Sequence, residues 1–327
     1  MNIGAVVAVV NQKGGVGKTT TAVNVAACMG ELGLNVILVD IDPQGNATSG
    51  FGLQPGDSGG VYELLTADSK VDPYLVSRET SVQGVRVIPT SADLAGAEVE
   101  LANGSRDEVR RCLEPLRTQF EVIVLDTPPS LGILTVNCLV AATHLIVPVQ
   151  CEYYALEGLK HLNRTVAMIQ SALNPDLRIL GLVPTMYART LLSQQVALEL
   201  QNHFGELAFR TVIPRTVRLS EAPSHGQPII AYDPRSLGAR AYRELTLEVL
   251  VRLGISPKLA TPVVSRTRSM LNSITGVFAG RVKRDPATSP EQASIGNEEA
   301  QNTQSNAVTT PGDETWSNEA SVEDYLL

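Results

Sequence analysis

Cysteine is scarce. Of 327 residues only Cys28, Cys112, Cys138 and Cys151 are cysteines, and none falls in a paired spacing such as Cys-x-x-Cys. That excludes a disulfide framework and a cysteine-held metal, and with them the iron–sulfur carriers that share phosphate-loop folds. The four read as small buried side chains of a cytosolic protein. No apolar run approaches the ~20 residues of a spanning helix, and the first strand begins without a basic, apolar leader, so a cytoplasmic protein is expected. Positive charge is lacking too: the formal net charge is −8. Indiscriminate nucleic-acid binding is therefore disfavoured unless a local basic patch outweighs the global field.

What is present suffices for one sizeable core, with 43% hydrophobic residues. Short Val/Ile/Leu runs near 5–10, 36–39, 85–88, 122–125, 145–149 and 179–183 alternate with longer helical patterns, clearest over 18–33 and 155–173. This predicts an α/β fold with a mostly parallel, doubly wound sheet buried on both faces. Ligands of such sheets sit at the carboxyl ends of the strands, where Asp40, Asp42, Asp126 and a glycine-rich loop all fall.

That loop is Lys13-Gly14-Gly15-Val16-Gly17-Lys18-Thr19-Thr20, directly after the run Ala5 to Val10. Its glycines allow backbone N–H groups to turn inward around phosphate oxygens. Lys18 would reach the β- and γ-phosphates, and the Thr19 hydroxyl would meet Mg2+. Lys13, five residues upstream, cannot easily serve the same oxygens from the same side. It is either a solvated loop lysine or a cation that crosses between two facing nucleotide-bound protomers, as a trans-acting arginine does in other NTPases.

Asn11 to Thr20 resembles the deviant Walker A motif of the ParA/MinD ATPases. Four further segments resemble the ParA/Soj branch: Asp40 to Asn46, Asp126 to Ser130, Glu152 to Gly158, and Pro214 to Pro223. The resemblance spans about residues 3–254. It implies a P-loop NTPase domain that binds ATP and Mg2+ through Lys13, Gly14, Gly15, Val16, Gly17, Lys18, Thr19 and Thr20 and hydrolyses ATP slowly. Asp126 would be the Walker B carboxylate, meeting Mg2+ through water. Asp42 would position or deprotonate the attacking water. Asp40 would either hydrogen-bond to the phosphate loop or act on Mg2+ indirectly. The loop carrying Pro214 would hold adenine, with Thr185 a weaker candidate. Arg189, Arg215 and Arg218 would touch DNA backbone on a dimer surface. No aromatic interleaving or helix-turn-helix pattern accompanies them, so binding is expected to be sequence-independent.

The implied function is chromosome or plasmid partitioning by an ATP-bound homodimer on nonspecific DNA at the nucleoid, released when a ParB-like protein stimulates hydrolysis. Positioning of a protein cargo is one alternative. A MinD-like membrane-surface ATPase is another, drawn from residues 266–284, where Met270, Leu271, Ile274, Val277, Phe278 and Val282 recur at helical spacing. The expected organisation is an ATPase domain over 1–257, a basic segment over 258–284 with six cations and no acid, and an acidic tail over 285–327 with nine acids and no cation. The tail's composition predicts disorder.

Overall fold

Strands form where β-branched residues run for four to eight positions: β1 (Ala5–Val9), β2 (Val36–Asp40), β4 (Val85–Ile88), β5 (Val122–Asp126), β6 (His144–Gln150) and β7 (Arg178–Thr185), with the two-residue β3 (Arg78–Glu79) beside β4. In this computed structural model residues 3–56, 59–66, 71–102, 104–152 and 155–259 are described. The sequence-based expectations for 260–327, and for Tyr153 and Tyr154, lie outside them.

The described strands form one sheet in the order β3-β4-β2-β5-β1-β6-β7, parallel throughout except for antiparallel β3. Helices α1 (Lys18–Glu31), α2 (Asn46–Gly50), α3 (Val61–Thr66), α4 (Pro73–Val76), α5 (Leu94–Ala102), α6 (Glu108–Leu113) and α7 (Ile133–Ala141) lie in the first half. They are followed by α8 (Ala155–Ala172), α9 (Leu191–Phe204), α10 (Val217–Glu221), α11 (Ile229–Tyr232) and α12 (Leu237–Leu253).

Successive strand residues face opposite sides, so the core divides in two. Val6, Ala8 and Val10 pack with Ile37, Ile123, Leu134 and Leu145, whereas Val7 and Val9 pack with Ala22, Ala26, Leu38, Tyr242 and Val249. Both layers exclude water, which is why the strands read as near-continuous apolar runs. On the second face α1 and α12 are joined by Thr21 Oγ1 and Tyr242 OH at 3.3 Å. β2, β5 and β1 end together, with Asp40 beside Asp126 and Asp126 beside Val9. The two acids and the loop after β1 therefore share one rim, as the strand pattern predicts.

Candidate active site

Helix α1 begins without a side-chain cap. Gly17 stands at its N-cap in the left-handed region (φ 92°), and its first turn carries no acid. The first amides of such a helix have no intrahelical partner, and together with the helix dipole they favour an anion. Gly15 is also left-handed (φ 74°). The loop is held from below: the Thr185 hydroxyl donates to the Val16 carbonyl (2.8 Å), and Asn11 Nδ2 donates to the Pro148 carbonyl (2.7 Å). Asn11 Oδ1 accepts from the Lys13 amide at 3.0 Å. Val16 is buried, so only its backbone is offered to a ligand.

Lys18 is also buried, and its ammonium donates to the Lys13 carbonyl at 3.3 Å. Burial lowers its pKa, while Asp126 and Asp42 pull it back up. A cation short of solvent, facing free amides, is ready for phosphate oxygens.

The carboxylates differ sharply in their surroundings. Asp126 is fully buried, and neither of its oxygens has a hydrogen-bond partner. Burial and the adjacent Asp40 push its pKa well up, with Thr19 and Lys18 opposing and Asp42 adding to the rise. A buried, unpartnered carboxylate is costly. With the Thr19 hydroxyl beside it, Asp126 forms an oxygen donor set that fits Mg2+, directly or through water. Asp40 is equally buried but satisfied by Thr48 and the Asp42 amide, and burial still raises its pKa to about 6. Its partner is α2, rather than the phosphate loop named as one alternative from the sequence. Asp42 is 6% exposed, and its Oδ1 accepts from the Gln44 amide.

A cleft of about 600 Å³ opens over the phosphate loop and Asp42. Gly14, Gly15, Gly17, Lys18, Thr19 and Thr20 form its floor, Asp42, Gln44 and Asn46 one side, and Met186, Leu219, Ala222 and Pro223 the apolar wall. Met186 is held at φ 51°, in the left-handed region. Pro214 is not among the lining residues; it sits on a bridge to Tyr187, the neighbour of Met186. Thr185 is 2% exposed with its hydroxyl engaged by the loop, so it supports the phosphate site rather than presenting a group to a base.

Lys13 is half-exposed and paired within its own chain to Glu152 at 3.2 Å, and Gln150 donates to the other Glu152 oxygen at 2.6 Å. In the sequence Glu152 stands only as part of a motif, because nothing local signals a partner 139 positions away. Arg189 and Arg215 are exposed at the edge organised by the Tyr187–Pro214 bridge. Arg218 forms ion pairs with Glu221 (3.0 Å) and Asp233 (3.6 Å).

A family model described as an AAA domain (AAA_31) matches residues 4–179. The sporulation initiation inhibitor protein Soj of Bacillus subtilis is 52% identical over 251 residues, covering 76% of this chain and 98% of that protein. The chromosome-partitioning ATPase Soj of Thermus thermophilus is 51% identical over 249 residues, covering 76% and 96%. Among solved structures, a Mycobacterium smegmatis protein named cobyrinic acid a,c-diamide synthase, bound to ADP and magnesium, is 38% identical with a TM-score of 0.66, covering 80% of this chain and all of that one. The cell-division ATPase MinD of Pyrococcus furiosus has a TM-score of 0.65 at 22% identity, covering 76% and 98%, which shows the shared fold alone.

Proposed function

Because the chain belongs to the Soj/ParA family of ATPases, we propose that it is a partitioning ATPase: it binds ATP with Mg2+, dimerises in that state, holds DNA without sequence preference, and lets go when a ParB-like partner stimulates hydrolysis. The observation that carries the proposal is the orphaned Asp126 carboxylate beside Thr19, at the foot of an uncapped helix.

In this reading the free amides of α1 and Lys18 hold the β- and γ-phosphates, and adenine lies against Leu219, Ala222 and Pro223, next to the Pro214 segment. Thr19 and Asp126 would hold Mg2+, which when bound would supply positive charge against the charge that develops on the phosphates. Asp42 orients the attacking water and accepts its proton. Lys13 leaves Glu152 and crosses to the partner protomer's phosphates; an exposed pair of this kind is worth only about 0–1 kcal/mol, so little opposes its release. Arg189, Arg215 and Arg218 meet DNA phosphates. No helix among the described residues is long and apolar enough to cross a membrane, and the segment that suggested membrane contact, 266–284, lies outside them.

Co-sedimentation with nonspecific DNA, with liposomes, and with neither, in ATP and in ADP, tests the reading. ATP-dependent recovery with DNA supports it, whereas recovery with liposomes alone transfers the proposal to a membrane-surface ATPase. Binding to neither, with ATP still hydrolysed, favours a protein cargo.

A further inference from the structure

Two carboxylates stand side by side at the strand ends and are treated in opposite ways. Asp40 and Asp126 are register partners on β2 and β5, both fully buried. Asp126 accepts no hydrogen bond, which leaves it available to a cation. Asp40 is committed: its Oδ2 accepts from the Thr48 amide and the Thr48 hydroxyl, each at 2.7 Å, and its Oδ1 accepts from the Asp42 amide at 3.3 Å. The Thr48 hydroxyl in turn accepts from the Thr90 amide at 3.2 Å.

One hydroxyl therefore ties together the end of β2, the helix α2 and the segment that follows β4. Thr48 is 0% and Thr90 1% exposed, so water cannot substitute for it. Asp42 lies inside this knot. Its amide is on Asp40, its carbonyl accepts from the Gly45 amide, and its Oδ1 accepts from the Gln44 amide. Gly45 is left-handed (φ 67°), and a Cβ there would meet Pro55 at 2.7 Å and Thr90 at 3.2 Å, so the turn packs closely on both and admits no side chain at this position.

We infer that Thr48, acting through Asp40, is a positioning residue for ATP hydrolysis: its hydroxyl fixes where the Asp42 carboxylate stands above the phosphate loop, and so sets the hydrolysis rate without setting nucleotide affinity. The inference rests on the proposed role of Asp42 in ordering the attacking water. A misplacement of about 1 Å at a reacting group can cost on the order of a hundredfold in rate.

The test compares Thr48→Val, Thr48→Ser and Asp40→Asn in the full-length chain, by single-turnover ATP hydrolysis and by equilibrium ATP titration with Mg2+. Thr48→Val keeps the shape and removes the hydroxyl. It is expected to hydrolyse at least about tenfold more slowly, with affinity changed by less than about threefold, while Thr48→Ser stays within about threefold of the parent in both. Asp40→Asn, which loses an acceptor but no volume, is expected to slow hydrolysis likewise and serves in place of Thr48→Val if that variant does not fold. A parental rate in Thr48→Val or Asp40→Asn, or Thr48→Ser as slow as Thr48→Val, overturns the inference. Asp42→Ala separates the two readings. Its hydrolysing at the parental rate removes the role of Asp42 itself, whereas an inactive Asp42→Ala beside a parental Thr48→Val removes only that of Thr48.

Discussion

At the residue scale the decisive asymmetry is between carboxylates that have partners and one that has none. In the nucleotide-free protein the folded-state pKa values of Asp126 and Asp40, the latter about 6, lie above those of the unfolded chain. The folded state then keeps protons that the unfolded state has released. The stability contributed by these protonated carboxyls is present below the ordinary carboxylate pKa of about 4 and is lost as pH rises through the folded values. Asp126→Asn should therefore melt at a higher temperature than the parent without nucleotide, with the gap opening as pH rises above the ordinary carboxylate pKa of about 4 and absent below it. Thermal melts across pH check this; a variant that melts lower at every pH would mean the carboxylate is already compensated. Magnesium and ADP should stabilise the parent more than Asp126→Asn. Lys18→Ala should abolish ATP binding, whereas Asp42→Ala should retain ATP and stop at the bound state. Filter binding with labelled ATP, alongside phosphate release, distinguishes the two.

At the scale of elements, function depends on where helices begin. The left-handed Gly17 turns the chain from β1 into α1 and leaves the first amides open. Gly17→Ala should cost about 1–2 kcal/mol from backbone strain alone, read in a urea melt without nucleotide, and should weaken ATP binding further. A close approach joins the residues just after α2 to the turn after Ala222–His225: a Cβ on Gly226 would meet Gly52 Cα at 2.7 Å. Much of this level was legible in the sequence. The six longer strands and α1 follow from β-branched runs and helical spacing, and the phosphate loop from its glycines, because each signal is local. The two-residue β3 and the five-residue α2 carry too few side chains for a period to show. The Thr48–Thr90 bond and the Lys13–Glu152 pair join positions far apart in sequence, so no pattern along the chain announces them. The resemblance implies an adenine contact for the Pro214 segment, and the structure sets it one bridge away from the cleft wall.

At the scale of the whole molecule the proposed cycle involves two protomers and a polyanion. Lys13→Ala should leave ATP binding by the monomer intact and weaken dimerisation, which light scattering with ATP measures; an unchanged dimer would leave Lys13 as a loop cation paired to Glu152 in its own chain. The net charge of −8 means that DNA contact has to come from a local surface. If a dimer neutralises about five phosphates, log affinity should fall against log salt with a slope of roughly −4 to −5. Arg218→Ala should flatten that slope without creating sequence preference, and by less than Arg189→Ala or Arg215→Ala if its ion pairs with Glu221 and Asp233 persist on DNA. Removal of residues 285–327, whose nine acids follow six cations in 258–284, should tighten DNA binding at low salt while leaving ATP hydrolysis unchanged. The most direct test of the central claim is binding of the full-length protein to a random-sequence duplex with ATP and Mg2+, compared with ADP and Mg2+, in the parent and in Asp42→Ala. Binding with ATP, little with ADP, and prolonged retention of Asp42→Ala after ATP loading are expected. Equal binding in ATP and ADP, or none in either, would contradict the claim.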